Sequence, residues 1–132
     1  MFRSVYIIDD DEVSAFLTEA MLTAENFSQR YHTFLNPCDA LQQLLPSLQF
    51  NQSHKIPDVI FLDLNMPFIN GWEFLDAVAP HAPQLRCCCL LYMLTSSLDI
   101  MEVRRAQEYD FLSGFLHKPL EESIIHNILK HS

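Results

Sequence analysis

The strongest constraint on this chain is a set of short, unbroken apolar runs, each stopping at a polar residue. Val5-Tyr6-Ile7-Ile8 ends at Asp9, Val59-Ile60-Phe61-Leu62 ends at Asp63, and the run from Cys88 to Leu94 ends at Thr95. Each is too short for a helix, and none alternates apolar with polar as a half-exposed strand would. Continuous apolar strands are covered on both faces, which points to a parallel sheet between two layers of helices. The segments between them fit those layers. Val13, Phe16, Leu17, Ala20, Met21 and Ala24 recur at the spacing of one helical face, the apolar stripe expected to meet the core. A weaker strand is expected over 29–35. Asn36-Pro37 then reads as a helix start, with Asn36 as N-cap and Pro37 at the first helical position, and Leu41, Leu44, Leu45 and Leu48 line one face. A third helix over 71–79 carries Trp72, Leu75 and Val78 inward, and Pro80 and Pro83 are expected to end it. A fourth helix over 99–110 has a thinner face of Ile100, Val103 and Ala106. Gly114-Phe115-Leu116-His117 is a last short strand, ending at Lys118-Pro119. A fifth helix follows, with Leu120, Ile124, Ile125, Ile128 and Leu129. The pattern is five successive strand–helix units.

Composition narrows the function. The 132 residues make one domain, and 49% hydrophobic content suffices for a core. A net charge of −9, from 8 Lys+Arg against 17 Asp+Glu, argues against direct nucleic-acid or membrane-surface binding. Two glycines cannot write a Gly-rich phosphate cradle. No apolar run approaches the roughly 20 residues of a membrane span, and the first residues do not form a signal peptide. A cytoplasmic location is expected. Cys38, Cys87, Cys88 and Cys89 have no metal-site spacing, and the last three are expected to lead into a buried strand as small apolar residues.

The polar residues that close the strands matter most. Strand 1 ends in Asp9-Asp10-Asp11, strand 3 in Asp63, strand 4 in Thr95-Ser96 and strand 5 in Lys118. In a doubly wound parallel sheet the carboxyl ends of the strands share one edge, and ligands bind there. Converging carboxylates repel one another unless a divalent cation sits among them, and an all-oxygen set suits Mg²⁺. Metal, ammonium and hydroxyl together match the needs of a phosphoryl group, with Asp63 available as a nucleophile that forms an acyl phosphate. Taken singly, each residue has a plainer role. Asp11 and Glu12 fit helix capping, Asp63 a turn, Thr95-Ser96-Ser97 a loop and Lys118-Pro119 a surface turn.

Taken together, Ile7-Ile8-Asp9-Asp10, Phe61-Leu62-Asp63-Leu64-Asn65-Met66-Pro67, Asn70-Gly71, Leu94-Thr95-Ser96 and Phe115-Leu116-His117-Lys118-Pro119 resemble the receiver domain of two-component response regulators, over essentially the whole chain. The resemblance implies a flavodoxin-like, doubly wound α/β fold with five parallel strands in order 2-1-3-4-5 and five helices. It implies a single stand-alone receiver domain over 1–132, akin to chemotaxis regulators, with no output domain. Asp63 is then the phosphoacceptor. Mg²⁺ is the cofactor, held by Asp9, Asp10, Asp63 and the backbone carbonyl of Asn65. Thr95 and Lys118 contact the phosphoryl group, Phe115 takes the aromatic switch position without a tyrosine hydroxyl, and a cis peptide bond is expected before Pro119. Implied partners are a sensor histidine kinase or histidine phosphotransfer protein, and a downstream protein docking on the fourth helix, fifth strand and fifth helix. Such a chain is a phosphoacceptor with at most autophosphatase activity, not an enzyme acting on an outside substrate. Two other readings stay open. An aspartyl-phosphate phosphohydrolase would share the chemistry, but Asn65 stands where that class typically has a second acid. A receiver-fold binding module that is never phosphorylated would keep the same residues. Outside the site, His117 is expected to face the surface, His32, His54, His81, His126 and His131 to be exposed, Trp72 to be packing, and Arg104-Arg105 to be a solvated helix face.

Overall fold

The structure is a computed structural model, described here over residues 1–131. Five strands, β1 (Phe2–Ile8), β2 (Ser28–Phe34), β3 (Val59–Asp63), β4 (Leu90–Thr95) and β5 (Gly114–His117), form one sheet in the order β2-β1-β3-β4-β5. Every neighbouring pair is parallel. The helices are α1 (Glu12–Ala24), α2 (Pro37–Gln49), α3 (Gly71–Val78), α4 (Ala82–Cys88), α5 (Ile100–Ala106) and α6 (Glu122–Lys130). α3, a 3-10 turn at Ala79–His81 and α4 run on without a gap as one helical arm. There are thus four helical connections between the strands and a closing helix, α6, and the flavodoxin-like order is as expected.

Alternation along each strand divides the core in two. Ile60 and Leu62 of β3 join Leu44, Leu48, Phe74, Leu75 and Leu85 under α2, α3 and α4. Val59 and Phe61 join Ala15, Leu22, Ile125 and Ile128 under α1 and α6. Both faces of β3 are therefore dry, which explains the unbroken apolar run. Burying each such side chain contributes about 1.5–3 kcal/mol.

The structure corrects the sequence expectations at four places. The inner face of α1 is Ala15, Thr18 and Leu22, while Val13 and Phe16 are 67% and 66% exposed. The apolar stripe predicted for this helix faces out, because small Ala15 and Thr18 let the backbone approach the sheet. Pro80 and Pro83 do not end the helical arm. Each sits in the opening turn of a new helical segment, where proline's missing N–H costs no bond. Cys87 and Cys88 consequently close α4 and only Cys89 is buried, so β4 starts at Leu90, not Cys88. The helix expected over 99–110 stops at Ala106. Its N-cap Asp99 accepts from the Met101 amide at 2.9 Å, and its Ile100 and Val103 are exposed.

Gly71 governs the join between β3 and α3. Its amide donates to the Leu64 carbonyl at 2.8 Å. A Cβ there would lie 3.0 Å from both the Asp63 carbonyl oxygen and Leu64 Cα. Backbone approach this close needs glycine. Asn70 and Glu73 form a reciprocal capping box just before and inside α3 (Glu73 N to Asn70 Oδ1 2.9 Å, Asn70 N to Glu73 Oε1 3.0 Å). The start of α3 is thus pinned against the end of β3, where Asp63 sits. In the loop between them, Ile69 packs on the core, whereas Phe68 is exposed at a left-handed φ of 65°.

Candidate functional site

The sheet brings its polar strand ends to one edge. Asp9 follows β1 and Asp63 closes β3, and the two residues are 2% and 7% exposed. With the more exposed Asp10 they form a cluster in which one oxygen from each acid lies within 4.8 Å of the others. Lys118, just past β5, reaches across the edge. Its Nζ donates to Asp9 Oδ2 at 2.7 Å and to Ser14 Oγ at 2.8 Å, and lies 2.9 Å from Asp63 Oδ1. The Lys118 amide also donates to the Thr95 carbonyl at 2.8 Å, which ties the loop after β5 to the end of β4. The Lys118-Pro119 peptide is cis, as expected.

Each acid is placed by local structure. Asp11 is the N-cap of α1, its carboxylate accepting the Val13 and Ser14 amides. The Asp11 amide in turn donates to Asp9 Oδ1 at 3.0 Å, which orients that carboxylate. Asp11 thus caps, as expected, and leaves the site to Asp9 and Asp10.

Three carboxylates face one ammonium, so the crevice is left negative. Burial pushes the Asp63 carboxyl up to about 6, and the charges of Asp9 and Asp10 push the same way against the opposing hydrogen bond and charge of Lys118. Burial works to lower Lys118, but its hydrogen bonds to Asp9 and Asp63 outweigh this and hold its ammonium above the ordinary value. A site with this imbalance accepts a hard cation readily, since the ion offsets the repulsion and finds only oxygen donors. The carbonyl of Asn65, two residues past Asp63, accepts no hydrogen bond from the described residues and remains available as a further oxygen.

The other expected residues lie close by but are differently engaged. Thr95 is fully buried. Its Oγ1 accepts the Ser97 amide at 3.0 Å and donates to Glu102 Oε1 at 3.5 Å, and among the described residues no hydrogen bond joins it to Asp63. Phe115 is half-buried, its ring stacked on Trp72 at 6.3 Å. Trp72 also stacks on Tyr109 at 5.9 Å and lies under the Arg105 guanidinium at 4.7 Å. Trp72 is therefore packing, as expected, while Arg105 is more than a solvated face. His117 faces outward as expected.

Two functional neighbours were not legible in the sequence. Ser14 bonds Lys118 because α1 is rotated with its apolar stripe outward, and Glu102 holds the Thr95 hydroxyl from α5. Both contacts join residues far apart in the chain or on unmarked helix faces, so no local motif announces them.

Comparison with known proteins agrees with this geometry. The family model of the response regulator receiver domain matches residues 5–130. No curated protein matches by sequence. Among solved structures, a two-component response regulator of Cytophaga hutchinsonii superposes with a TM-score of 0.85 at 25% identity, covering 98% of this chain and 96% of that one. A response regulator receiver protein of Dyadobacter fermentans gives 0.82 at 29%, with the same coverage. A chemotaxis response regulator of Vibrio cholerae, at 22% identity, shares the fold with a TM-score of 0.71 over 99% of this chain and 98% of that one. Among the described residues no helix is long and apolar enough to cross a membrane. With the family model spanning nearly the full length and the strand-end acids gathered where the fold places a ligand, the chain belongs to the response regulator receiver domains of two-component signalling.

Proposed function

We propose that this receiver accepts a phosphoryl group on Asp63 from a phosphohistidine of a sensor kinase or histidine phosphotransfer protein, and does so with Mg²⁺ in the cytoplasm. The observation that carries the reading is the convergence of Asp9, Asp10 and Asp63 with Lys118 at one sheet edge. Asp9, Asp10, Asp63 and the Asn65 carbonyl would hold the ion. When bound, Mg²⁺ supplies positive charge to the phosphoryl oxygens. The chain's own residues do the rest. A carboxylate oxygen of Asp63 attacks phosphorus, the P–N bond breaks, and its electron pair returns to the donor imidazole, leaving an acyl phosphate. Lys118 Nζ, already 2.9 Å from Asp63 Oδ1, moves its hydrogen bond to a phosphoryl oxygen. Thr95 gives up Glu102 and turns its hydroxyl to another phosphoryl oxygen, and Phe115 repacks beside Trp72.

The output surface in this reading is α5, β5 and α6, the faces anticipated from the sequence as fourth helix, fifth strand and fifth helix. Leu98, Ile100 and Met101, all exposed, directly follow the Thr95 loop, so a shift of Thr95 reaches an apolar surface suited to a protein partner. The chain acts as a phosphoacceptor and not on an outside substrate, and it signals without touching nucleic acid. Incubation with a radiolabelled, phosphorylated histidine kinase is expected to label the wild-type chain in Mg²⁺ and to leave Asp63→Ala unlabelled. Equal labelling of Asp63→Ala would remove Asp63 from the role.

A further inference from the structure

Away from the carboxyl edge that holds Asp63, the structure has a second polar cleft. Its floor is the middle of β1 and β2, from Ser4 to Tyr6 and from Arg30 to His32, on the α2 side. Ser4 pairs with Arg30 and Tyr6 with His32 across the two strands, which places these side chains in two adjacent rows. Its walls are the last turns of α2 and the turn that follows, with Ser47, His54 and Lys55. The cavity measures about 550 Å³, within the range of roughly 300–1,000 Å³ of small-molecule sites.

The charge of this cleft runs against that of the molecule. The chain carries −9 overall, yet the lining includes Arg30, Lys55, His32 and His54 and no Asp or Glu. Among the described residues, neither Arg30 nor Lys55 has an ion-pair partner. Asp58, whose amide bonds the Ser4 carbonyl, is already taken by Arg3 at 3.0 Å. A guanidinium and an ammonium left unpaired beside the hydroxyls of Ser4 and Tyr6 and the side-chain amides of Gln43 and Gln52 form a donor-bearing, positively charged cavity without a carboxylate. Such a set matches an oxyanion with several acceptor oxygens.

We propose that this cleft binds a small phosphate-bearing anion, of nucleotide or oligophosphate size, at a site separate from the phosphoacceptor crevice. Arg30 and Lys55 supply the charge, and Ser4 and Tyr6 supply hydroxyl donors. The amide NMR spectrum of the full chain, held in EDTA to keep divalent ions from the Asp63 crevice, tests this with two probes, pyrophosphate and ADP. Either probe is expected to shift resonances of Arg30, His32, His54 and Lys55 and to leave those around Lys118 in place. Similar affinities assign binding to the phosphates alone, and tighter ADP binding assigns a contribution of the base as well. Arg30→Ser with Lys55→Ser, and separately Lys55→Glu, are expected to weaken binding by about tenfold or more, while label transfer to Asp63 stays as in the wild type. Three results would overturn the proposal: no shifts at millimolar probe, shifts centred on Lys118, or a polyglutamate peptide that binds the cleft as tightly as either probe.

Discussion

Asp63 is a carboxylate almost withdrawn from water, with Asp9 and Asp10 beside it and Lys118 as its counter-charge. Its folded-state value of about 6 lies above the ordinary 3.8. A raised carboxyl value means that the folded chain binds this proton more tightly than the unfolded chain does. The associated stability is fully present below about pH 3.8 and is lost as pH rises through about 6. Asp63→Asn removes that loss. In EDTA at pH 7 it is expected to be more stable than the wild type by an amount on the order of 2 kcal/mol. The gain should vanish near pH 4, and denaturant melts at the two pH values measure it. A variant no more stable at pH 7 would show that Lys118 already balances the crevice. The acids and the lysine were legible in the sequence because each closes an apolar run, so their place at the sheet edge followed from the strands. Ser14 and Glu102 were not, because their contacts depend on the rotation of α1 and the placement of α5.

Among the elements, the third strand and its helix are the most tightly specified. Val59 to Leu62 read as a buried strand because both faces are dry, and Gly71 fixes how closely α3 follows. Gly71→Ala would set a methyl group 3.0 Å from the Asp63 carbonyl oxygen. It is expected to cost about 1–3 kcal/mol by overpacking and to slow phosphoryl transfer by displacing Asp63. Thermal melts and labelling rates report the two effects separately. Helix α1 behaves in the opposite way. Its larger apolar residues face solvent, so the double change Val13→Ser, Phe16→Ser is expected to alter stability by less than about 1 kcal/mol, as read by denaturant midpoint. A loss of several kcal/mol would mean that the stripe predicted from periodicity is the buried one after all. Periodicity finds an apolar stripe, but it does not reveal that Ala15 and Thr18, small enough to approach the sheet, form the inner face. Likewise Pro80 and Pro83 signal a stop in sequence, yet each also suits the first turn of a new helical segment, and that ambiguity hid α4.

At the scale of the whole molecule, the sheet separates two chemistries. Its carboxyl edge gathers the acids and Lys118, while the cleft lined by Arg30 and Lys55 lies away from that edge, over the middle of β1 and β2. The order β2-β1-β3-β4-β5 puts β1 and β3 side by side, so Asp9 and Asp63 meet although more than fifty residues of chain separate them. The fold class was legible because the apolar runs require a covered parallel sheet. The second cleft was not, because His32 and His54 share no spacing and converge only through the packing of α2 on the edge strand. In the proposed function the carboxyl edge is a metal-assisted phosphoacceptor whose nucleophile is Asp63. The most direct test is to incubate the chain with a small acyl-phosphate donor, with Mg²⁺ or with EDTA, and to map the phosphoryl group by mass spectrometry of the digested protein. One phosphoryl group is expected, on the peptide that contains Asp63, only in the presence of the ion, and none on Asp63→Asn. Phosphorylation at another residue, or undiminished phosphorylation of Asp63 in EDTA, would contradict it.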